Sequence, residues 1–261
     1  MIQHTEDQLG IELFDRVRGR LVPTEEALSI YAESSPIFLL FSSMQRKIDD
    51  LRQGRHGSIR IAATPSLGNS VLPQAIHAFT SKRPDVRISV DIRDRETIFH
   101  HVARSVAEIG MLLEFRDHPN LTGIPLHRGR FVCAMRRDHP LAKNDIIRLS
   151  DLRSVKIVRL ERGTVLGDMI DRATSSLSEP LNWSIETRYC ATACAFVEKG
   201  EEIAIVDEYS TRSLLSPNII IKPLLPKIPI VAFVIHASDR PLSKMAKLII
   251  ADIKLALKDN L

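Results

Sequence analysis

At 261 residues the chain has room for one large or two ordinary domains with buried cores. Its 44% hydrophobic and 26% charged residues are ordinary for a soluble globular protein, and a net charge of +4 permits a nucleic-acid partner without requiring one. Three cysteines are too few and odd in number for a disulfide framework, the start lacks a signal-peptide pattern, and the longest apolar run, Ile228 to Ile235, is too short for a bilayer and is broken by Pro229. A cytoplasmic protein in a reducing compartment is the expectation.

Residues 2 to 9 form a predicted helix that Gly10 terminates. IELFDRVRGRLVPT then reads as two short extended pieces around a turn at Arg18-Gly19, with Thr24 as N-cap for the next helix and Glu25 and Glu26 suiting its dipole. From Glu25 to about Arg52 the pattern is helical. Ile37, Phe41, Met44, Ile48 and Leu51 form a heptad-like seam. Such a helix, roughly 40 Å long at about 1.5 Å per residue, suits a dimer-forming connector better than a core element. Pro36 is expected to kink or split it. Polar, glycine-bearing QGRHG (53–57) is the expected linker.

Beyond Gly57 strands and helices alternate. SIRIAAT, VRISVDI and EIGMLL are predicted strands, separated by helices near Leu72 to Ser81 and Thr97 to Ser105. The pattern resumes with VKIVRL, a helix near Val165 to Ser175, WSIETR, a helix near Thr192 to Lys199, and EIAIVD. GRFVCAMRRDHPLAK is the predicted crossover strand, ending at Asp138-His139-Pro140. IPIVAFVIH is the return strand, and Pro241 to Lys258 holds a final amphipathic helix. Alternation of this kind implies βαβ units around largely parallel sheets, and two lobes joined by two crossing strands leave a cleft between them.

Catalytic signatures (GxGxxG, P-loop, HExxH, GxSxG) do not occur, and no cofactor or metal is expected. Cys190 and Cys194 lie one helical turn apart, but no histidine or further cysteine pair is close in sequence, so packed structural cysteines are the preferred reading. The binding chemistry is concentrated at strand ends. Thr64-Pro65-Ser66 ends a parallel strand and opens a helix, Arg95-Glu96-Thr97 ends the next strand, Arg162-Gly163-Thr164 opens a helix of the second lobe, and Thr192 begins another. Any one of these alone is most simply a helix cap. Repeated at equivalent strand ends, their hydroxyls, N–H groups and arginines suit a carboxylate.

With these pieces in order, the chain resembles a LysR-type transcriptional regulator. LGIELFDR followed by RGRLVPT resembles the end of the family's recognition helix and its wing. GSIRIAATPSL, RPDVRISV, RDHPLAK with SDL downstream, and VEKGEEIAIVD resemble landmarks of its effector-binding domain. TRYCATACAFVEKGEEIAIVD is most similar to the subgroup sensing opines or lysine-pathway amino acids. The resemblance implies an α/β, two-lobed, periplasmic-binding-protein-like effector domain. It also implies a homodimer or tetramer that binds promoter DNA, changes its DNA contacts when a small carboxylate or amino-acid-like effector binds, and catalyses nothing. Three segments follow: 1–23 as a partial winged helix-turn-helix, 24–56 as linker helix and hinge, and 57–261 as effector domain. Lobe I would take about 57–133 and 236–261, and lobe II about 134–235.

Position by position, the resemblance places Thr64, Pro65, Ser66 and Thr97 on effector loops of the first lobe, with Arg162, Gly163 and Thr164 facing them. Asp207 falls where an acid could meet an amino group, and Thr192 completes the expected set. Arg16, Arg18 and Arg20 match the phosphate-contacting wing. In the family about two helices and most of a third precede the position of Ile2, so the base-reading part of the recognition helix is expected to be missing. Thr5 replaces a usual leucine, Glu108 stands in its strand where Asp is usual, and Ala27 stands where Gly is common. The rival expectation is an effector sensor that no longer binds DNA and pairs with an intact regulator. A solute-binding protein is a more distant one.

Overall fold

The structure, a computed structural model, describes residues 2–52, 57–175, 177, 179–214 and 216–258. They fall into two compact units, Met1–His56 and Gly57–Leu261. Four residues of the expected linker, 53–56, lie outside the described residues.

The first unit comprises helix α1 (Ile2–Leu9), strands β1 (Phe14–Val17) and β2 (Arg20–Pro23), and helix α2 (Glu25–Arg52). Gly10, at φ +66°, ends α1 by donating its N–H to the Glu6 carbonyl (2.8 Å). The Glu6 carboxylate accepts the N–H groups of Leu13 (2.8 Å) and Phe14 (3.1 Å), fixing the start of the hairpin. Arg18 (φ 51°) and Gly19 (φ 79°) form its two-residue turn, the conformation that matches strand twist. Thr24 caps α2 by accepting from Ala27 N (3.2 Å), and its hydroxyl donates to the Glu12 carbonyl (2.9 Å). Contrary to the expectation of a split, α2 is one helix of 28 residues through Pro36. A proline forfeits one hydrogen bond and crowds one carbonyl, losses that turns on both sides absorb. Ile37, Phe41, Met44 and Ile48 of the seam are exposed in the single chain, as are Ile2, Leu9, Ile11, Phe14, Val17, Leu21 and Val22.

The second unit runs β3 (Ser58–Ala63), α3 (Pro65–Gly68), α4 (Val71–Ser81), β4 (Arg87–Ile92), α5 (Arg95–Ala103), β5 (Ile109–Leu113) and β6 (Leu121–Arg136). It continues with β7 (Ile147–Arg148), β8 (Lys156–Leu160), α6 (Val165–Thr174), β9 (Asn182–Thr187), α7 (Cys190–Lys199), β10 (Ile203–Asp207) and α8 (Glu208–Thr211). β11 (Ile219–Leu225), β12 (Pro229–Ala237) and α9 (Lys244–Lys258) complete it. The strand order is β4-β3-β5-β12-β6-β10-β8-β9, with β11 joining β6 to β7. Parallel pairing is confined to β4-β3-β5 in one lobe and to β10-β8-β9 and β11-β7 in the other.

β6 serves both lobes. Its residues from Leu121 to Arg130 pair with β12, and those from Phe131 to Arg136 pair with β10 and β11. β12 also pairs with β5, from Ala232 opposite Leu113 to Ile235 opposite Gly110. The return strand therefore joins the first lobe from Pro229, not from residue 236. α9 packs on α4, burying Ala246, Ile249, Ile253, Ala256 and Leu257 at helical spacing. Buried strand residues such as Ile61, Met111, Val158, Ile205 and Val234 fill the core that holds the strand ends in place.

Candidate functional site

Between the lobes, beyond the carboxyl ends of the parallel strands, lies a cleft of about 300 Å³. The first lobe contributes Thr64, Pro65, Ser66 and Asn69 after β3, Asp94, Arg95 and Glu96 after β4, and Leu113 at the end of β5. Facing them are Gly163 to Leu166 after β8, Arg188 to Ala191 after β9, and Ser210 and Ser213 after β10.

The first loop is tied down by its backbone: Thr64 N donates to Met111 O (2.9 Å), and Thr64 O accepts from Gly68 N (2.8 Å). The Thr64 hydroxyl is buried with no hydrogen-bond partner among the described residues, a donor and acceptor held ready at the cleft. Ser66 Oγ reaches across the cleft floor and donates to Asp207 Oδ2 (2.9 Å). Opposite, Gly163 adopts φ +79° and donates its N–H to Asp168 Oδ1 (2.9 Å). Thr164 Oγ1 donates to Glu161 O (2.6 Å) and accepts from Gly167 N (3.1 Å), capping α6. A Cβ on Gly167 would lie 2.1 Å from the Glu161 carbonyl oxygen, so only glycine lets this turn close.

Five expected residues, Thr64, Pro65, Ser66, Gly163 and Thr164, line the cleft; Thr97, Arg162, Thr192 and Asp207 are not among its lining residues. Thr97 is spent on a cap. β4 ends at Ile92, and Asp94 opens α5 by accepting Thr97 N (3.0 Å) and Thr97 Oγ1 (2.8 Å). Arg162 is exposed and its Nε lies 3.2 Å from Asp171 Oδ2. Thr192 lies in the first turn of α7 with its side chain exposed, because that helix begins two residues earlier than expected, at Cys190. Asp207 is completely buried: Oδ1 accepts Ser210 N (2.8 Å), and Oδ2 accepts Ser210 Oγ (2.7 Å) and Ser66 Oγ. Its oxygens hold the chain together instead of awaiting an amino group.

Asp94, Arg188 and Tyr189 are cleft residues that the strand-end pattern did not single out, while Arg95 and Glu96, which it named beside Thr97, do line the cleft. The backbone N–H of Thr97, with help from Arg188 across the cleft, holds the Asp94 carboxyl below its usual range. Burial lowers the pKa of the Arg95 guanidinium, which donates to the carbonyls of Leu113 (3.2 Å) and Glu114 (2.5 Å) and stacks 4.9 Å over Phe99. Cys190 borders the cleft, yet burial and then the Asp207 charge push its thiol well above the ordinary range. Cys133 and Cys194 are pushed up to about 12 mainly by burial. All three cysteines are free, buried and poorly ionisable, the condition of packing residues and not of nucleophiles. Among the described residues no group of three His, Cys, Asp or Glu side chains is placed to hold a metal ion. Arg16, Arg18 and Arg20 belong to the first unit, all exposed on its hairpin.

The geometry meets a family description. The LysR substrate binding domain matches residues 52–257. The chain belongs to the LysR family. It is 26% identical over 261 residues to the regulatory protein NocR of Agrobacterium tumefaciens, covering 100% of this chain and 86% of that protein. To the transcriptional activator protein LysR of Escherichia coli it is 23% identical over 242 residues, covering 93% and 78%. The crystal structure of CbnR, a LysR family transcriptional regulator, superposes with a TM-score of 0.78 at 16% identity, covering 99% of this chain and 88% of that one. This LysR-family chain thus has the two-lobed α/β effector-domain fold. No helix among its described residues is long and apolar enough to cross a membrane.

The same fold sets a pH response. Burial lowers His101, His127 and His139 from the ordinary 6.5, with the Asp91 charge partly offsetting it at His101 and the Arg212 and Lys258 charges adding to it at His127. Folded, each holds its proton less well than unfolded, so the unfolded chain binds more protons as pH falls through 6.5. Stability is therefore expected to drop on acidification from about pH 7.5 to about 5.5. Glu208, raised above 4.5 by burial, works the opposite way, at the lower end. Melting temperatures across this range should fall, and His127→Gln, which removes one of the three contributions, should flatten the slope.

Proposed function

We propose that this chain is a cytoplasmic, non-catalytic regulator whose cleft takes a small carboxylate or amino-acid-like effector. The observation that carries the reading is the cleft itself: loops from the ends of six strands, three in each lobe, converge on it, and one buried hydroxyl there has no partner. Ligand closure between two lobes has a ready sensor in the Ser66–Asp207 bond, which crosses from one lobe to the other. The exposed seam of α2 supports a dimer or larger oligomer, because an apolar stripe at heptad spacing is stable when a second copy covers it. In this reading residues 1–23 belong to a winged helix-turn-helix, 24–56 form a connector and 57–261 the effector domain.

A thermal-shift screen of carboxylates, amino acids and opines tests the reading. A ligand present at about 100 times its Kd should stabilise the protein by about 2.7 kcal/mol. A complete panel without a stabilising member would remove the effector cleft from the account.

A specific observation favours a second reading, the sensor that pairs with an intact regulator and does not itself grip DNA. The arginines of the hairpin stand among Glu6, Asp7, Glu12 and Asp15, which is not a basic footprint.

A further inference from the structure

We infer that the outward face of α9, with Lys82 and Arg83 beside it, is a docking surface for the phosphate backbone of duplex DNA. The surface holds DNA without reading its sequence. It is independent of the cleft, and it serves equally whether base-reading contacts come from this chain or from an intact partner regulator.

α9 sorts its residues by face. Its apolar side is buried, whereas Lys244, Lys247, Ala251, Lys254 and Lys258 are all exposed. At roughly 100° per residue these five fall within an arc of about 80°, opposite the buried side. The stripe is about 21 Å long at about 1.5 Å per residue. None of its four lysines forms an ion pair among the described residues. The one acid of the helix, Asp252, is buried, 3.4 Å from Lys82 Nζ and 3.8 Å from Arg83 Nη1. Glu108 stands before the helix, where its Oε1 accepts Ser243 N (2.9 Å).

The positive charge of the protein is gathered here. α4, the two residues after it and α9 pack together and hold six lysines and arginines against one acid, a formal +5, while the whole chain carries +4. A merely solvated face intersperses both signs. Folding alone disfavours this one. Lys244 and Lys247 occupy the first turn of α9, where the helix dipole is already positive, and Lys254 and Lys258 are like charges four residues apart. A polyanion relieves both penalties.

Duplex DNA presents one phosphate charge per about 1.7 Å of axis, so a stripe of this length faces about twelve of them. Ala251, small and central, lets the backbone come close. A protein partner fits less well, because interface cores are depleted in lysine and Leu255 is the one large apolar residue exposed on α9. A membrane surface fits less well too, since the apolar side that would enter it is packed on α4.

The test is fluorescence anisotropy of the 261-residue protein with a labelled duplex of random sequence, about 30 base pairs long, over a range of salt concentrations. Lys244→Gln/Lys247→Gln/Lys254→Gln/Lys258→Gln should weaken binding at least about tenfold at about 50 mM salt. Its plot of log affinity against log salt should be shallower by about 3–4. Lys143→Gln/Lys156→Gln/Lys199→Gln/Lys227→Gln removes the same charge from exposed positions outside α4 and α9 and should cost less than about threefold. In the unaltered protein, bound duplex should shield Lys247 and Lys254 from an amine-acylating reagent and leave Lys156 and Lys199 reactive. Absence of duplex binding, equal losses in the two variants, or an unshielded Lys247 and Lys254 overturns the inference. So does tighter binding to polyglutamate or to phosphatidylglycerol vesicles than to the duplex, which would assign the face to an acidic protein or a membrane. None of these outcomes bears on the cleft.

Discussion

Replacing Asp207 with alanine is expected to destabilise the protein by about 3–4 kcal/mol, the largest single-residue effect in the second unit outside the apolar core. The carboxylate accepts three hydrogen bonds with no solvent exposure: Ser210 N caps α8, Ser210 Oγ closes the same turn, and Ser66 Oγ joins the other lobe. Alanine leaves three donors without a partner and opens a polar void. At roughly 2–4 °C per kcal/mol for a unit of this size, the melting temperature should fall by about 10 °C. Asp207→Asn keeps the acceptor for Ser210 N, so its cost should be nearer about 1 kcal/mol. Denaturant unfolding of the three proteins measures both. Equal, small losses would mean that the cross-lobe bond contributes little.

The second large effect concerns DNA. A specific complex of this kind is about 4–10 kcal/mol tighter than the same protein on random sequence, and base-edge contacts supply much of that margin. The hairpin of the first unit bears Arg16, Arg18 and Arg20, groups suited to phosphates, with Glu12 and Asp15 close by in sequence. In a gel shift on its own promoter region, the 261-residue chain should bind weakly, with little sequence preference and a steep loss of affinity as salt rises. Nanomolar, sequence-specific binding would eliminate the sensor-only reading and restore a complete reader.

Local chemistry made much of this architecture legible in the sequence. Gly10 and Gly19 permit positive φ and Thr24 supplies a capping hydroxyl through their own residue type, and each does so in the structure. The alternation from SIRIAA to IAIVD likewise carries its own periodicity. What the sequence hid depends on distant partners. β6 begins at Leu121, not at the expected Gly129, because β12 supplies the pairing along that whole stretch. β11 contains Pro223, which lacks a ladder donor, and it survives by pairing on β6 and the two residues of β7.

The site divides the same way. Thr64 to Ser66 and Gly163-Thr164 lie in the cleft because a strand end followed by a helix start is a local signal. Asp207 looked available because its partner Ser66 is 141 residues away in sequence. Thr97 was placed on an effector loop by the resemblance and its helix was expected to begin there, but α5 begins at Arg95 and Asp94 captures Thr97 as part of its cap.

The central claim, that the cleft between the lobes is where a small effector acts, is tested most directly by blocking it. Ala191 lines the cleft with its side chain exposed in the first turn of α7, so Ala191→Trp adds bulk to the cleft without disturbing the core. Titration of the best stabilising ligand into both proteins is the measurement. The account predicts saturable one-to-one binding by the unaltered chain and a loss of at least about a hundredfold in affinity, about 2.7 kcal/mol, in an equally stable Ala191→Trp. Undiminished binding by the blocked protein would place the effector elsewhere and contradict the account.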